Sequence, residues 1–105
     1  MMAKEIEFQC VNPAFKNSTT PQSQKALMES LSSVPGLHVY RQDFGDQQSL
    51  AAIIKNDAPA HTAQTVAKLA KRHEVGIDLV NDVDESHIDN VVRRDLEGIT
   101  HYYST

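Results

Sequence analysis

Between Lys4 and Val11 the apolar residues Ile6, Phe8 and Cys10 alternate with Glu5, Glu7 and Gln9. That period of two puts successive side chains on opposite faces of a strand, so the spacing predicts a first strand with one apolar and one wet face. Asn12-Pro13 ends it, and the polar stretch to Thr20 reads as a loop with Phe15 as its large apolar group. Thr20-Pro21 then has the form of a helix start, because a threonine hydroxyl can accept from a free amide and proline at the first helical position sacrifices no needed donor. Leu27, Leu31 and Val34 fall on one face of that helix, and Pro35-Gly36 stops it.

Leu37 and Val39 alternate with His38 and Tyr40 in a second strand that runs to about Phe44. Gly45 to Gln48 suits a hairpin turn into a third strand, Ser49 to Lys55, whose Leu50 and Ile53-Ile54 allow burial on both faces. After Asp57-Ala58-Pro59 a second helix is expected, with Ala63, Val66, Ala67 and Ala70 as a narrow stripe and Lys68, Lys71, Arg72 and His73 complementing the negative end of its dipole. Val75, Ile77 and Leu79 alternate as a fourth strand. Asp82 to Glu85 has the spacing of a capping box, and Ile88, Val91, Val92 and Leu96 give an amphipathic third helix that Gly98 closes. Ile99 to Tyr103 adds a short final strand.

The order β-α-β-β-α-β is that of the ferredoxin-like split βαβ arrangement, an antiparallel sheet with helices on one face. The expected fold is therefore α+β, ferredoxin-like, with an extra C-terminal helix and short strand. A small open α/β sheet is the alternative, if the strands from Ser49 onward wind in parallel. No internal repeat or linker interrupts residues 1–105, so one domain is expected.

Composition adds limits. No apolar run approaches the ~20 residues needed to span a bilayer, and the start of the chain turns acidic and alternating where a signal peptide would be apolar. A lone cysteine, Cys10, cannot form an internal disulfide. A cytoplasmic, reducing compartment is the expected location.

The net charge of -4 is concentrated in one place. Residues 82–97 hold Asp82, Asp84, Glu85, Asp89, Asp95 and Glu97 against Arg93 and Arg94, while acids and bases balance over the rest of the chain. An acidic balance argues against a nucleic-acid backbone as partner, and the aromatic-basic motif of sheet-based RNA readers is absent; Tyr40-Arg41 is the nearest string. The same asymmetry suits electrostatic docking onto a basic protein surface. The leading expectation is thus a noncatalytic regulatory or inhibitory protein that binds another protein through Asp82, Asp84, Glu85, Asp89 and Arg93. A homodimer is expected from the sheet face that the helices leave bare.

The competing expectation is a small-molecule enzyme or ligand sensor with a pocket between sheet and helices, using His38, Tyr40, His101 and Tyr103. No cofactor is implied, because each of the four glycines stands alone and no phosphate loop can form. Asp84, His87 and His101 are the best metal-like grouping among the histidines, yet they lack HExxH or CxxC spacing, and no metal site is assigned. Cys10 shares the face of Ile6 and Phe8 and reads as a small buried apolar group rather than a nucleophile. Ser30, Ser32 and Ser33 read as terminal-turn residues, and Asp43-Phe44-Gly45 as a strand end entering a turn.

Overall fold

The structure, a computed structural model, describes residues 2–12, 14, 18–43, 47–84, 86–87 and 102–104. Its elements are β1 (Met2–Phe8), α1 (Pro21–Leu31), β2 (Leu37–Asp43), β3 (Gln48–Ile54), α2 (Thr62–Arg72), β4 (Ile77–Asp84) and β5 (Tyr102–Ser104). Four long strands and the short β5 pair antiparallel in one open sheet, in the order β4-β1-β3-β2-β5. The chain is α+β, and the parallel alternative is ruled out by the β2–β3 hairpin pairing, which runs from Leu37↔Ile54 to Asp43↔Gln48.

Local chemistry sets the ends of the helices. Thr20 Oγ1 accepts from the Ser23 amide at 3.1 Å, and Pro21 occupies the first helical position of α1. Past its end, Gly36 takes a φ of +80°, and a Cβ there would lie 2.5 Å from Ala58 Cβ. Both the backbone conformation and the close approach call for glycine. The Lys55 amide donates to the Gly36 carbonyl at 2.9 Å, closing the same corner.

In α2 the buried face is Thr62, Val66 and Ala70, while Ala63 and Ala67 of the expected stripe are exposed. The helix is turned so that Thr62 points inward, where its hydroxyl is satisfied by the Pro59 carbonyl at 2.7 Å. Ser30 Oγ and His73 Nε2, 2.9 Å apart, tie the two helices together.

One face of the sheet carries the main core. Ile6 and Phe8 of β1, Val39 of β2, and Leu50 and Ala52 of β3 pack against Leu27, Leu31, Val66, Ala70 and Val75. Removing each large side chain from water contributes roughly 1.5–3 kcal/mol, opposed by the entropy of ordering the chain. β3 is buried on both faces from Leu50 to Ile53, as its composition suggests. Ala51 and Ile53 belong to a second, smaller cluster with Ala3, Tyr40 and the half-buried Val83 on the side away from α1 and α2.

The stretch after Leu79 differs from expectation. Asp82 and Asp84 lie in β4, not in a helix, because β4 continues its ladder with β1 through Lys4↔Asp82 and Met2↔Asp84 while Val83 packs opposite Ala3. A helical turn at 82 would forfeit those backbone bonds and that contact. Ser86 and His87 are helical, and Asp84 Oδ1 accepts from the His87 amide at 3.1 Å. The expected continuation over 88–97 lies outside the described residues. β5 pairs with β2 through Gln42↔Tyr102 to Tyr40↔Ser104.

Candidate functional site

The odd-numbered residues of β1 face away from the helices, and the acids among them were expected to be wet. Glu5 is instead only 6% exposed. Register explains its position: Glu5 lies between Ile53 on β3 and Asn81 on β4, near the centre of the second sheet face. A buried carboxylate is tolerated when its oxygens are paired and bonded. Tyr40 Oη donates to Glu5 Oε1 at 2.6 Å, and His87 Nε2 lies 2.5 Å from Oε2. His38 stacks on Tyr40 with ring centroids 6.1 Å apart.

Beside this cluster the β1–β4 ladder is irregular. Glu7 pairs with Leu79 and Phe8 with Ile77, so Asp78 is an extra residue on β4, a bulge. Gln9 holds the irregularity from the other strand. Its amide donates to the Gly76 carbonyl at 2.9 Å, and its side-chain Oε1 accepts from the Gly76 amide at 2.9 Å. A Cβ on Gly76 would stand 2.7 Å from Gln9 Cδ, so the side-chain bond depends on glycine at 76.

A cleft of about 250 Å³ opens there, with Glu7, Asp78, Tyr40, Gln47, Ser49 and Cys10 around it and Phe8, Leu50 and Ala51 as its apolar part. No residue of α1 or α2 lines it, and Glu7, Tyr40, Ser49 and Ala51 place it on the sheet face away from those two helices. Partial burial, then the neighbouring charges of Glu5 and Asp78, raise the Glu7 carboxyl above its ordinary value of 4.5.

Of the four residues expected in a ligand pocket, Tyr40 lines the cleft and His38 stands behind it against the Tyr40 ring. His101 lies outside the described residues, as does the Tyr103 side chain, although the backbone of Tyr103 is part of β5. Of the five residues expected to dock a partner, Asp82 and Asp84 lie among the described residues. Asp82 lies 3.2 Å from Lys4 Nζ with both side chains exposed, and Asp84 accepts from the Ser86 hydroxyl and the His87 amide. Those bonds, the Ser86 one first, lower the Asp84 carboxyl below its ordinary value of 3.8. Glu85, Asp89 and Arg93 lie outside the described residues.

Asp84 and His87 do not converge on a common point, since the His87 ring turns to Glu5. Among the described residues no group of three His, Cys, Asp or Glu could hold a metal ion. Cys10 is half-buried at the cleft rather than packed in the core with Ile6 and Phe8. The residues missed by pattern alone are Glu5, Glu7, Ser49 and Asp78. A signal for the first was the doubly buried β3, which implies a covered second face. No family model, no curated protein and no solved structure matches the chain.

Proposed function

We propose that this domain binds a small molecule in the cleft on the sheet face away from α1 and α2, in contact with Tyr40, Glu7, Asp78 and Ser49. The observation that supports this reading most is the β4 bulge, which brings Asp78 to the same cleft as Glu7 beside the Glu5–Tyr40 pair. Bulges recur next to binding sites because they redirect a side chain that regular pairing would aim elsewhere. Apolar surface with a few convergent polar groups is the usual make-up of a ligand pocket. A 250 Å³ cleft is below the usual range for drug-sized ligands, which points to a small metabolite or fragment.

The test is a fragment screen read by amide shifts, repeated on Ser49→Trp, which fills the cleft without touching Glu5. Fragments that shift Glu7, Tyr40, Ser49, Ala51 and Asp78, and lose at least tenfold in affinity on the filled variant, support the reading; a tenfold loss corresponds to about 1.4 kcal/mol. Shifts that survive the filling, or no binding at millimolar concentration, end it.

The ferredoxin-like arrangement is supported by β-α-β-β-α-β order, by antiparallel pairing, and by two helices on one face. A third helix beginning at Ser86 is consistent with the Asp84 cap. The homodimer and the cytoplasmic location remain proposals from the sequence. The former has less bare sheet to use than expected, because Glu5, Tyr40 and Ile53 are already covered. Among the described residues no helix is long and apolar enough to cross a membrane.

A further inference from the structure

The large apolar side chains that stand exposed among the described residues are all on β4: Ile77 at 40%, Leu79 at 47% and Val80 at 50% of full exposure. β4 is also the outermost strand on its side of the sheet and is eight residues long, whereas the three-residue β5 lies outside β2 on the other. Among the described residues no strand lies beyond β4.

An open edge of this kind offers backbone donors and acceptors to any extended segment, and proteins usually blunt it with lysine, proline, shortness or a bulge. β4 contains neither lysine nor proline. Its bulge at Asp78 leaves Leu79 to Asp84 in regular register with β1, so most of the edge is straight. Its charges are all of one sign, from the exposed Asp78, Asp82 and Asp84.

That charge pattern weighs against the longer self-pairings of the edge, since only a short pairing centred on Leu79 keeps the acids apart. A two-fold antiparallel pairing of β4 with a second copy, centred on Val80, would set Asp78 opposite Asp82 of the copy. Centred on Asn81, it would set Asp78 opposite Asp84. Like charges directly opposite are destabilising in a sheet. We propose that the outer edge of β4 takes up an extended segment of another protein, with apolar side chains beside Leu79 and Val80 and lysine or arginine beside Asp82. Main-chain bonding supplies the affinity of such strand addition, and side chains at alternate positions supply its selectivity. The surface shares Asp78 with the proposed small-molecule contacts, whereas Leu79 to Asp84 lie outside the cleft lining, so neither proposal needs the other.

The probe is a peptide of about ten residues with two adjacent valines flanked by lysines, long enough to cover a typical strand, titrated into the full chain and followed by amide shifts. A peptide with glutamate in place of lysine is the control. Expected are shifts concentrated in Ile77–Asp84 and its neighbour β1, and affinity at least about tenfold higher for the lysine peptide. Leu79→Lys, an exposed change that installs the usual edge protection, should weaken binding at least about tenfold with an unchanged far-UV spectrum. Equal affinity for the two peptides, shifts elsewhere, or no binding of the lysine peptide at millimolar concentration would overturn the proposal. So would a dimer of the chain in sedimentation that Leu79→Lys dissolves, because the edge would then belong to a second copy.

Discussion

The two faces of the sheet are built on opposite principles. Toward α1 and α2, Ile6, Phe8, Val39, Leu50 and Ala52 bury hydrocarbon against hydrocarbon, and stability there follows the area removed from water. On the other side a carboxylate, a phenol and an imidazole meet over Ala3, Ala51 and Ile53. Burying Glu5 costs desolvation that its two hydrogen bonds roughly offset, so the polar cluster itself contributes little net stability while tolerating few partners for that oxygen pair. The first face makes the domain fold; the second gives it a directional polar centre next to a cleft.

The comparison can be broken most severely on the helix side. Phe8→Ala should cost about 3–5 kcal/mol, from lost transfer energy plus the cavity left among Leu27, Leu50 and Val66, read as a shift in the urea midpoint at constant slope. A loss under about 1 kcal/mol would show that this face is not the main core. On the polar side, Tyr40→Phe leaves Glu5 Oε1 without its donor and should cost about 1–3 kcal/mol. Adding Glu5→Leu to that variant should restore most of the loss, since replacing a buried polar pair by apolar groups is often neutral. If the double variant is as unstable as the sum of its parts, the polar centre supports the fold more than the area argument allows.

The smallest effect is expected at Glu7 and depends on pH. Its carboxyl value is raised in the folded chain, so the folded state holds that proton more tightly than the unfolded one. The associated stability is fully present below the ordinary value of 4.5 and is lost as pH rises through the raised value. Glu7→Gln, neutral throughout, should therefore melt above the native chain at neutral pH, with the gap closing as pH falls below about 4.5. Melting curves across that range check the sign, and a gap that widens in acid contradicts it.

The helix-side core was legible because its signals are local and repeat. Ile6 and Phe8 announce their face by alternation, Thr20-Pro21 announces the start of α1, and Leu27 and Leu31 reappear fully buried. The polar face was not legible, because Glu5 meets Tyr40 and His87 across 35 and 82 residues of chain, and no periodicity reports such a meeting. The limit of β4 was misjudged for a related reason. Acids at 82 and 84 resemble a helix's first turn by spacing, but pairing with β1 decides the matter, and Asp84 caps from the last position of the strand. Pattern also points only weakly to a bulge, whose cause here is one side chain, Gln9, reaching the amide of Gly76.

That single amide has a wider reach than its size suggests. Were the surplus residue at 78 absorbed into ordinary pairing, everything from Leu79 onward would slide by one step along β1, exchanging inside for outside. Val83 would leave Ala3 and Asp82 would take its place against the apolar cluster. Alignment of the whole outer third of the sheet is thus leveraged on the contact between positions 9 and 76, and evolutionary or engineered drift at either should travel with compensating change at the other.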